Sequence, residues 1–550
     1  MEGTERGKGK AWMPLLFSLI LILGMVLGFN LRDSLRGKRD INTVVERNDR
    51  LEQVIDLINE KYVDSINGDH LYKDAISGIL KSLDPHTVYI PAEDMQDIND
   101  DMEGGFSGIG VEFSIVRDTI EVTSVIDKGP ASLVGIELGD QLIKVGDSVV
   151  AGVNITSSRI INMLKGKQKS NVSLTIKHFF SPALKQVSIT RDLIPLYSVD
   201  AGIMLDRSTG MIKINRFSAT THKEFADALK RLKNEGAKQL IIDLRDNPGG
   251  YLDQATQIAD ELIDGNKLIV YTQGTHAAKT EYNANIKGLF EKGKVIILMD
   301  ESSASASEIL AGAVQDWDRG LIVGRRSFGK GLVQEPYEMG DGSELRLTVA
   351  KYYTPSGRSI QRSFAKGRAA YQADYEKRFE SGELTGKDLF VLADTTKYFT
   401  ANHRVVYSGG GIKPDVYVPY DTMHISADMR NRMASAGLKT AIWDYFLTHR
   451  SRLKYRNIQS FLNSFDDEDK IIDGYLASVN PLNRRKVAKE LSRPSNRKYF
   501  QTHIRAQIAR FLFKDNGYYA VLAEDDNVIN RALELFEEGE YSDIISGKSE

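Results

Sequence analysis

Two short stretches of the sequence carry residues that could act as a nucleophile and as its base. Residues 301–310 read ESSASASEIL, and residues 327–334 read SFGKGLVQ. A serine hydroxyl needs a base, which is usually a histidine, but none lies between residues 277 and 402. Lys330, between two glycines, could serve if burial lowers its pKa towards neutrality. The pair predicts acyl-transfer chemistry, although Lys330 could also be an ordinary exposed lysine.

Ser305 is favoured among the four serines of residues 301–310 because a helix is expected to begin beside it. The apolar segment 293–300 predicts a strand before it, and Ser305 and Glu308 have the spacing of a capping box. Apolar residues then fall on one helical face: Ile309, Leu310, Ala313, Val314 and Trp317. Such a strand-to-helix turn is where α/β proteins place their sites, and the Ala306 N–H could help to hold an oxyanion. A plain helix N-cap is the alternative role for Ser305.

Gln334 follows Lys330 by four residues, an interval that points both side chains the same way in a strand or in a helix. A glutamine amide oxygen can accept a hydrogen bond from a lysine amine and orient it. The spacing therefore predicts that Gln334 positions Lys330.

The segments around these residues alternate between strand and helix from about residue 196. The predicted strands are 210–217, 237–245 and 293–300, and the predicted helices are 221–236 and 253–263. This alternation predicts an α/β core in which helices pack on a mostly parallel sheet. The turn DNPGGYL at 246–252 interrupts it between a strand and a helix.

Residues 104–194 predict a separate β-rich module. Its GGFSGIGVEF stretch leads into a strand, whereas a nucleotide-binding loop leads into a helix, so a nucleotide site is excluded. The module resembles a PDZ domain, and its carboxylate-binding loop would be Gly108, Ile109, Gly110 and Val111. Successive backbone N–H groups in such a loop can converge on a peptide carboxylate while the peptide adds a strand to the sheet edge. A β-turn in a sandwich domain is the alternative.

The segment 303–334 closely resembles the signature of the C-terminal processing peptidases, or tail-specific proteases, which are PDZ-containing Ser–Lys serine proteases. Three further segments are similar to that family: 243–252, 347–361 and 409–419. The resemblance covers about residues 45–420. SLDPHTVYI at 82–90 lies in the family's order, and we interpret its His86 as a capping or packing residue.

The resemblance implies roles for individual residues. Ser305 would be the nucleophile, Lys330 the general base and Gln334 the residue that positions it. The oxyanion would be held by Ala306 and by the NPGG turn, with Gly250 favoured and Gly249 as the alternative. Asp316 would be structural, and no metal or cofactor is expected.

Residues 13–31 predict an uncleaved membrane anchor, because no charge lies between Ala11 and Leu31 and about 20 apolar residues span a bilayer. Basic residues lie on both sides of this segment, so they do not decide its orientation. The resemblance and the anchor together predict a bacterial inner-membrane protein with its catalytic part in the periplasm.

The composition narrows the functions further. The chain has 550 residues, a net charge of -3 and no cysteine. Disulfides, thiol catalysis and cysteine-rich zinc sites are therefore excluded, and the charge gives no reason to expect a nucleic-acid partner. The expected partners are protein or peptide substrates with free C-termini, and the membrane.

The predicted organisation has six parts. They are an N-terminal tail at 1–12, the anchor at 13–31, a helical region at 41–103, the PDZ-like domain at 104–194, the protease core at 195–420 with a polar insertion at 366–407, and a helical region at 421–550. The last region could form a homo-oligomer, bind an adaptor or shield substrates. A serine endopeptidase that recognises C-terminal tails is the favoured function. An inert PDZ adaptor, a membrane transport or lipid-binding component and a small-ester hydrolase are the alternatives.

Overall fold

A computed structural model of the protein describes residues 41–179, 181, 183–386, 394, 396–420, 427–537 and 539–548. They divide into two compact units at Leu83 and Asp84. The first unit contains helices α1 (Ile41–Lys61) and α2 (Gly68–Leu80). The predicted anchor at 13–31 lies outside the described residues, and no helix within them is long and apolar enough to cross a membrane.

The second unit begins with β1 (Val88–Ile90) and α3 (Ala92–Glu103), which lead into the β-rich module. The elements of this module are β2 (Gly105–Gly108), β3 (Val111–Val116), β4 (Thr119–Val125), α4 (Pro130–Leu133), β5 (Gln141–Val145), β6 (Ser148–Val149), α5 (Ser157–Leu164), β7 (Asn171–Lys177), β8 (Leu184–Thr190) and β9 (Asp192–Pro195). The main sheet has the order β3-β4-β5-β7-β8, and β2 pairs with β9 where the chain enters and leaves. Strand β3 is thus at the end of the sheet order.

The region that follows the β-rich module contains a six-stranded sheet and a five-stranded antiparallel sheet. Its elements are β10 (Val199–Met204), β11 (Thr209–Ile214), α6 (Thr221–Glu235), β12 (Gln239–Asp243), α7 (Leu252–Asp260), β13 (Leu268–Gln273), β14 (Thr280–Asn283), β15 (Lys294–Met299), α8 (Ala306–Asp316), β16 (Leu321–Gly324), β17 (Leu332–Glu338) and β18 (Glu344–Tyr353). The larger sheet has the order β10-β11-β12-β15-β16-β21, in which β21 is Val416–Tyr417, and it is parallel except for the β10–β11 pair. The mostly parallel sheet was predicted from the alternating pattern.

The remaining elements belong to the insertion and to the C-terminal helices. They are α9 (Arg368–Gln372), α10 (Asp374–Glu380), a 3-10 turn (Glu383–Thr385), β19 (Lys397–Phe399), β20 (Val405–Tyr407), β21 (Val416–Tyr417), α11 (Ala427–Met433), α12 (Ala436–His449), α13 (Ile458–Ser464), α14 (Glu468–Ser478), α15 (Pro481–Leu491), α16 (Pro494–Glu524), α17 (Asn527–Glu537) and α18 (Glu540–Ile545). Helix α16 is interrupted at Lys514, where φ is 57°.

The parallel sheet is covered on both faces, which explains why its central strands are apolar throughout. Ile242 and Ile297 on one face pack with apolar side chains of α6, α7 and α8. Ile241 and Ile296, which point the other way, pack with α17. The C-terminal helix α17 therefore covers the second face of this sheet.

The C-terminal helices also contact the β-rich module. The Trp443 indole N–H donates to the Glu121 carboxylate, and Arg450 donates to the Leu138 carbonyl at 3.1 Å. These hydrogen bonds hold the β-rich module against the C-terminal helices.

Candidate active site

Ser305 lies at the end of a tight turn between β15 and α8, which we call the nucleophile turn (residues 300–305). Its φ is +55°, which is uncommon for a residue other than glycine. Asp300, which is 4% exposed, fixes this turn. One of its carboxylate oxygens accepts the N–H groups of Ser302 and Ser303 at 3.0 and 3.1 Å, and that of Asp246 at 3.1 Å.

Asn247 joins the NPGG turn to the nucleophile turn. It is fully buried, and its side-chain amide donates to the Ile214 carbonyl of the sheet at 2.9 Å. Its backbone carbonyl accepts the Ala304 N–H at 3.0 Å and the Ser307 hydroxyl at 3.1 Å. The position of the nucleophile is thus set by the core sheet.

The glycines of the NPGG turn allow the backbone to approach Ser305. A Cβ on Gly249 would lie 2.7 Å from the Ser305 Cβ. The Gly249 N–H already donates to the Asn247 side chain at 2.8 Å. Within the described part of the chain, the N–H groups of Gly250 and Ala306 have no acceptor. The geometry therefore favours these two amides as oxyanion donors over that of Gly249.

Lys330 lies in the turn before β17, which we call the base turn (residues 327–331). Its Nζ donates to the side-chain oxygen of Gln334 at 2.9 Å. The Gln334 side-chain amide in turn donates to the backbone carbonyl of His86. The segment 84–87, which precedes β1, thus holds the Gln334 amide with its oxygen towards Lys330.

Burial lowers the pKa of Lys330 from its ordinary value, and the Arg346 guanidinium lowers it further. The carboxylates of Glu308 and Asp84 act in the opposite direction. A lysine with a lowered pKa is neutral in a larger fraction of molecules at neutral pH, which is the form that can accept a proton.

Glu308 and Tyr352 hold the nucleophile turn and the base turn together. One oxygen of the fully buried Glu308 accepts the N–H groups of Ser305 at 2.8 Å and Lys330 at 2.9 Å. Its other oxygen accepts the Gly329 N–H at 2.7 Å and the Ser327 hydroxyl. The Tyr352 hydroxyl lies 3.0 Å from the Ser305 carbonyl and 2.7 Å from that of Lys330. Burial raises the pKa of Glu308.

The structure thus brings together Ser305, Ala306, Gly249 and Gly250 on one side, and Lys330 and Gln334 on the other. No hydrogen bond between Ser305 Oγ and Lys330 Nζ is present among the described residues. Sequence reasoning missed the bridging roles of Glu308 and Tyr352. The Ser-x-x-Glu spacing was a signal for Glu308, but it suggested only a helix cap.

The predicted tail-binding residues belong to the β-rich module, at the junction of β2 and β3. Gly108 and Ile109 are buried, Gly110 has a φ of 79°, and Val111 begins β3. No hydrogen bond or ion pair joins this loop to Ser305 or Lys330 in the part of the chain described above. In the same residues, no group of three or more acidic or histidine side chains could hold a metal ion.

Comparison with known families finds four matches along the chain. Residues 208–367 match peptidase family S41, and residues 97–177 match the PDZ domain. Residues 30–94 match the N-terminal domain of the activating protease CtpB, and residues 429–515 match a family of unknown function.

Three curated relatives match over longer segments. The carboxy-terminal-processing protease of Bartonella bacilliformis is 34% identical over 57% of this chain and 72% of its own length. The carboxy-terminal processing protease CtpA of Bacillus subtilis is 31% identical over 70% of this chain and 84% of its own. CtpB of the same organism is 33% identical, and the match covers 62% of this chain and 70% of CtpB.

Proposed function

Because this chain belongs to peptidase family S41, the serine peptidases named carboxy-terminal processing proteases, we propose that it cleaves polypeptides with Ser305 as nucleophile and Lys330 as general base. The family and the serine-peptidase activity predicted from sequence are confirmed by these matches. The assignment of the two residues is our inference from their geometry.

In the proposed reaction, neutral Lys330 takes the proton of Ser305 while Oγ attacks the scissile carbonyl. The N–H groups of Ala306 and Gly250 stabilise the oxyanion. Lys330 then gives its proton to the leaving amine, and it later activates the water that hydrolyses the acyl-enzyme. Gln334 keeps the amine oriented. A hydrogen bond between a nucleophile and its base often forms only when substrate is bound. This accounts for the absence of a Ser305 Oγ–Lys330 Nζ bond among the described residues.

The single observation that carries the proposal is the network around Glu308. Backbone N–H groups of Ser305 and Lys330 share one buried carboxylate oxygen, so the two turns must lie side by side. A serine at a helix N-terminus beside a lysine with a lowered pKa is an arrangement that can carry out acyl transfer.

The PDZ domain supplies a route for substrate selection. Its Gly108–Val111 loop and the outer edge of β3 would bind the free C-terminus of a substrate by strand addition. The apolar segment 13–31 would anchor the protein in the bacterial inner membrane, with the catalytic part in the periplasm.

The test compares the wild-type chain in detergent with Ser305→Ala and Lys330→Ala. Lys351→Ala is the matched control, because it removes an exposed lysine from β18 of the same sheet. Each protein is incubated with an unfolded polypeptide that ends in apolar residues, and with the same polypeptide amidated at its C-terminus.

We expect cleavage only by the wild type and Lys351→Ala, and slower cleavage of the amidated polypeptide. Cleavage by Ser305→Ala would place the nucleophile elsewhere. If no protein cleaves but the free tail still binds, the inert adaptor is the better description.

A further inference from the structure

The polar insertion, which was predicted to interrupt the protease motifs, packs on the base turn. Arg378 of α10 is 4% exposed, and it donates to the backbone carbonyls of Arg326 at 2.7 Å and Ser327 at 3.4 Å. Its guanidinium also pairs with Glu383 of the insertion at 3.0 Å. The backbone just before Lys330 is therefore held from outside the core sheets.

The same insertion also holds the turn at residues 84–87. Arg368 donates to the Pro85 carbonyl at 2.7 Å, and the Tyr371 hydroxyl lies 2.8 Å from Nε2 of His86. Tyr371 is 5% exposed, and its ring packs edge-on against His86 and against Phe328 of the base turn. One helix, α9, thus contacts both segments that meet at Lys330.

A continuous set of contacts leads from Tyr371 to the amine of Lys330. The Tyr371 hydroxyl contacts the His86 ring, and the His86 carbonyl accepts the side-chain amide of Gln334. The other end of that amide accepts the Lys330 Nζ. A change at Tyr371 can therefore reach the base without any direct contact between them.

The charges around His86 favour an uncharged ring. Burial lowers the pKa of His86 to about 4, and the positive charges of Lys330, Arg362 and Arg368 act in the same direction, against Asp84. At neutral pH the Tyr371–His86 contact is thus a hydrogen bond between neutral groups, which adds no positive charge beside Lys330.

We propose that Tyr371 is a positioning residue for the general base, and that it acts through His86 and Gln334 to fix Lys330 and keep water away from it. The inference rests on the proposed Ser–Lys mechanism. It makes the insertion a working part of the active site, although the insertion carries none of the reacting groups.

Tyr371→Phe tests the inference because it removes one hydroxyl and keeps the ring. We expect kcat to fall about fivefold, the equivalent of one hydrogen bond, with KM unchanged. The rising limb of the pH–rate profile should move to higher pH, because water that enters the pocket restores the charged form of Lys330. Tyr375→Phe is the matched control, because it alters a half-exposed tyrosine of α10 in the same insertion.

A double-mutant cycle with His86→Phe separates positioning from packing. If Tyr371 acts through His86, Tyr371→Phe should change nothing further in the His86→Phe protein. If Tyr371→Phe still lowers kcat fivefold in the His86→Phe protein, the inference is overturned. It is also overturned if Tyr371→Phe lowers the unfolding midpoint but leaves the rising limb of the pH–rate profile in place.

Two further comparisons keep the outcomes distinct. If Tyr371→Phe does not fold, Arg368→Gln tests the same turn, and an unmoved pH limb in that variant would count against the inference. Cleavage by Ser305→Ala would overturn the proposed function itself. An inactive Ser305→Ala together with an unaltered Tyr371→Phe would overturn only the role of Tyr371.

Discussion

The nucleophile turn and the base turn lie side by side but are built in different ways. The nucleophile turn is fixed by Asp300 and Asn247, which lie within 60 residues of Ser305 and follow strands of the parallel sheet. The base side depends on more remote segments: the Ser327 N–H donates to the Ile412 carbonyl, and Gln334, which orients Lys330, reaches His86.

The difference follows from what each group needs. A serine nucleophile needs a fixed direction and nearby amides, which a strand-to-helix turn provides by itself. A lysine base needs to be kept from water, and a single turn cannot bury an amine. Several distant segments must cover it, so the base side should tolerate fewer remote changes.

The largest effect is expected from Glu308→Ala, which breaks both turns at once. Four donors would lose their buried acceptor, so cleavage should become undetectable and the free energy of unfolding should fall by about 3 kcal/mol or more. Cleavage assays and urea unfolding measure the two effects. Glu308→Gln, which keeps the volume, should be intermediate, and near wild-type cleavage by Glu308→Ala would show that the turns do not depend on it.

Gly250→Ala should damage only the nucleophile side. Its φ is 144°, and a Cβ there would lie 2.1 Å from the Phe217 carbonyl oxygen, so the turn must shift. We expect kcat to fall about 100-fold through loss of an oxyanion donor, with no movement of the pH limb. Gly265→Ala is the control, since it also has a positive φ but open space around it. If Gly250→Ala shifts the rising limb of the pH–rate profile, then a change on the nucleophile side also alters Lys330.

Arg346→Gln should alter only the base side. The Arg346 charge lowers the pKa of Lys330, so its removal should raise that pKa. Since activity requires neutral Lys330, the rising limb should move to higher pH, and the rate at pH 7 should fall about twofold to fourfold. Arg346→Lys keeps the charge and should leave the limb in place. A rate that falls equally at all pH values would contradict this account.

The smallest effect concerns acid stability and should come from the base side. The pKa of His86 is lowered to about 4 in the folded protein, against 6.5 as its ordinary value. The stability that comes from this neutral ring is full above pH 6.5 and is lost as the pH falls towards 4. The free energy of unfolding, measured with urea, should therefore fall between pH 7 and pH 5 in the wild type. In His86→Gln that fall should be about 1 kcal/mol smaller, after allowance for the partial exposure of His86. His276→Gln, at an exposed site, should keep the wild-type drop.

The parts of the site that are local in sequence could be predicted. The strand at 293–300 and the apolar face after Ser305 predicted the turn that the structure contains, and the four-residue spacing predicted the Lys330–Gln334 contact. The mostly parallel sheet also followed from local alternation. These features depend on neighbours within a few residues, which a single sequence displays.

The remaining features depend on contacts between separate segments, some of which lie hundreds of residues apart. Nothing in the sequence near Tyr371 indicates that it meets His86, which is 285 positions away. Likewise, α17 covers the second face of the sheet, but its amphipathic pattern does not identify the surface it packs on. The amphipathic pattern indicates that one face of such a helix is buried, and only the folded structure identifies the surface that buries it.

The backbone at Ser305 also restricts how this enzyme can evolve. A φ of +55° strains any residue that carries a Cβ, and a β-branched side chain adds further crowding. A codon change to threonine would preserve the hydroxyl yet strain the turn, and a change to cysteine would preserve the backbone while exchanging oxygen for sulfur. Replacement of the nucleophile by a thiol should therefore strain this turn less than replacement by a secondary alcohol.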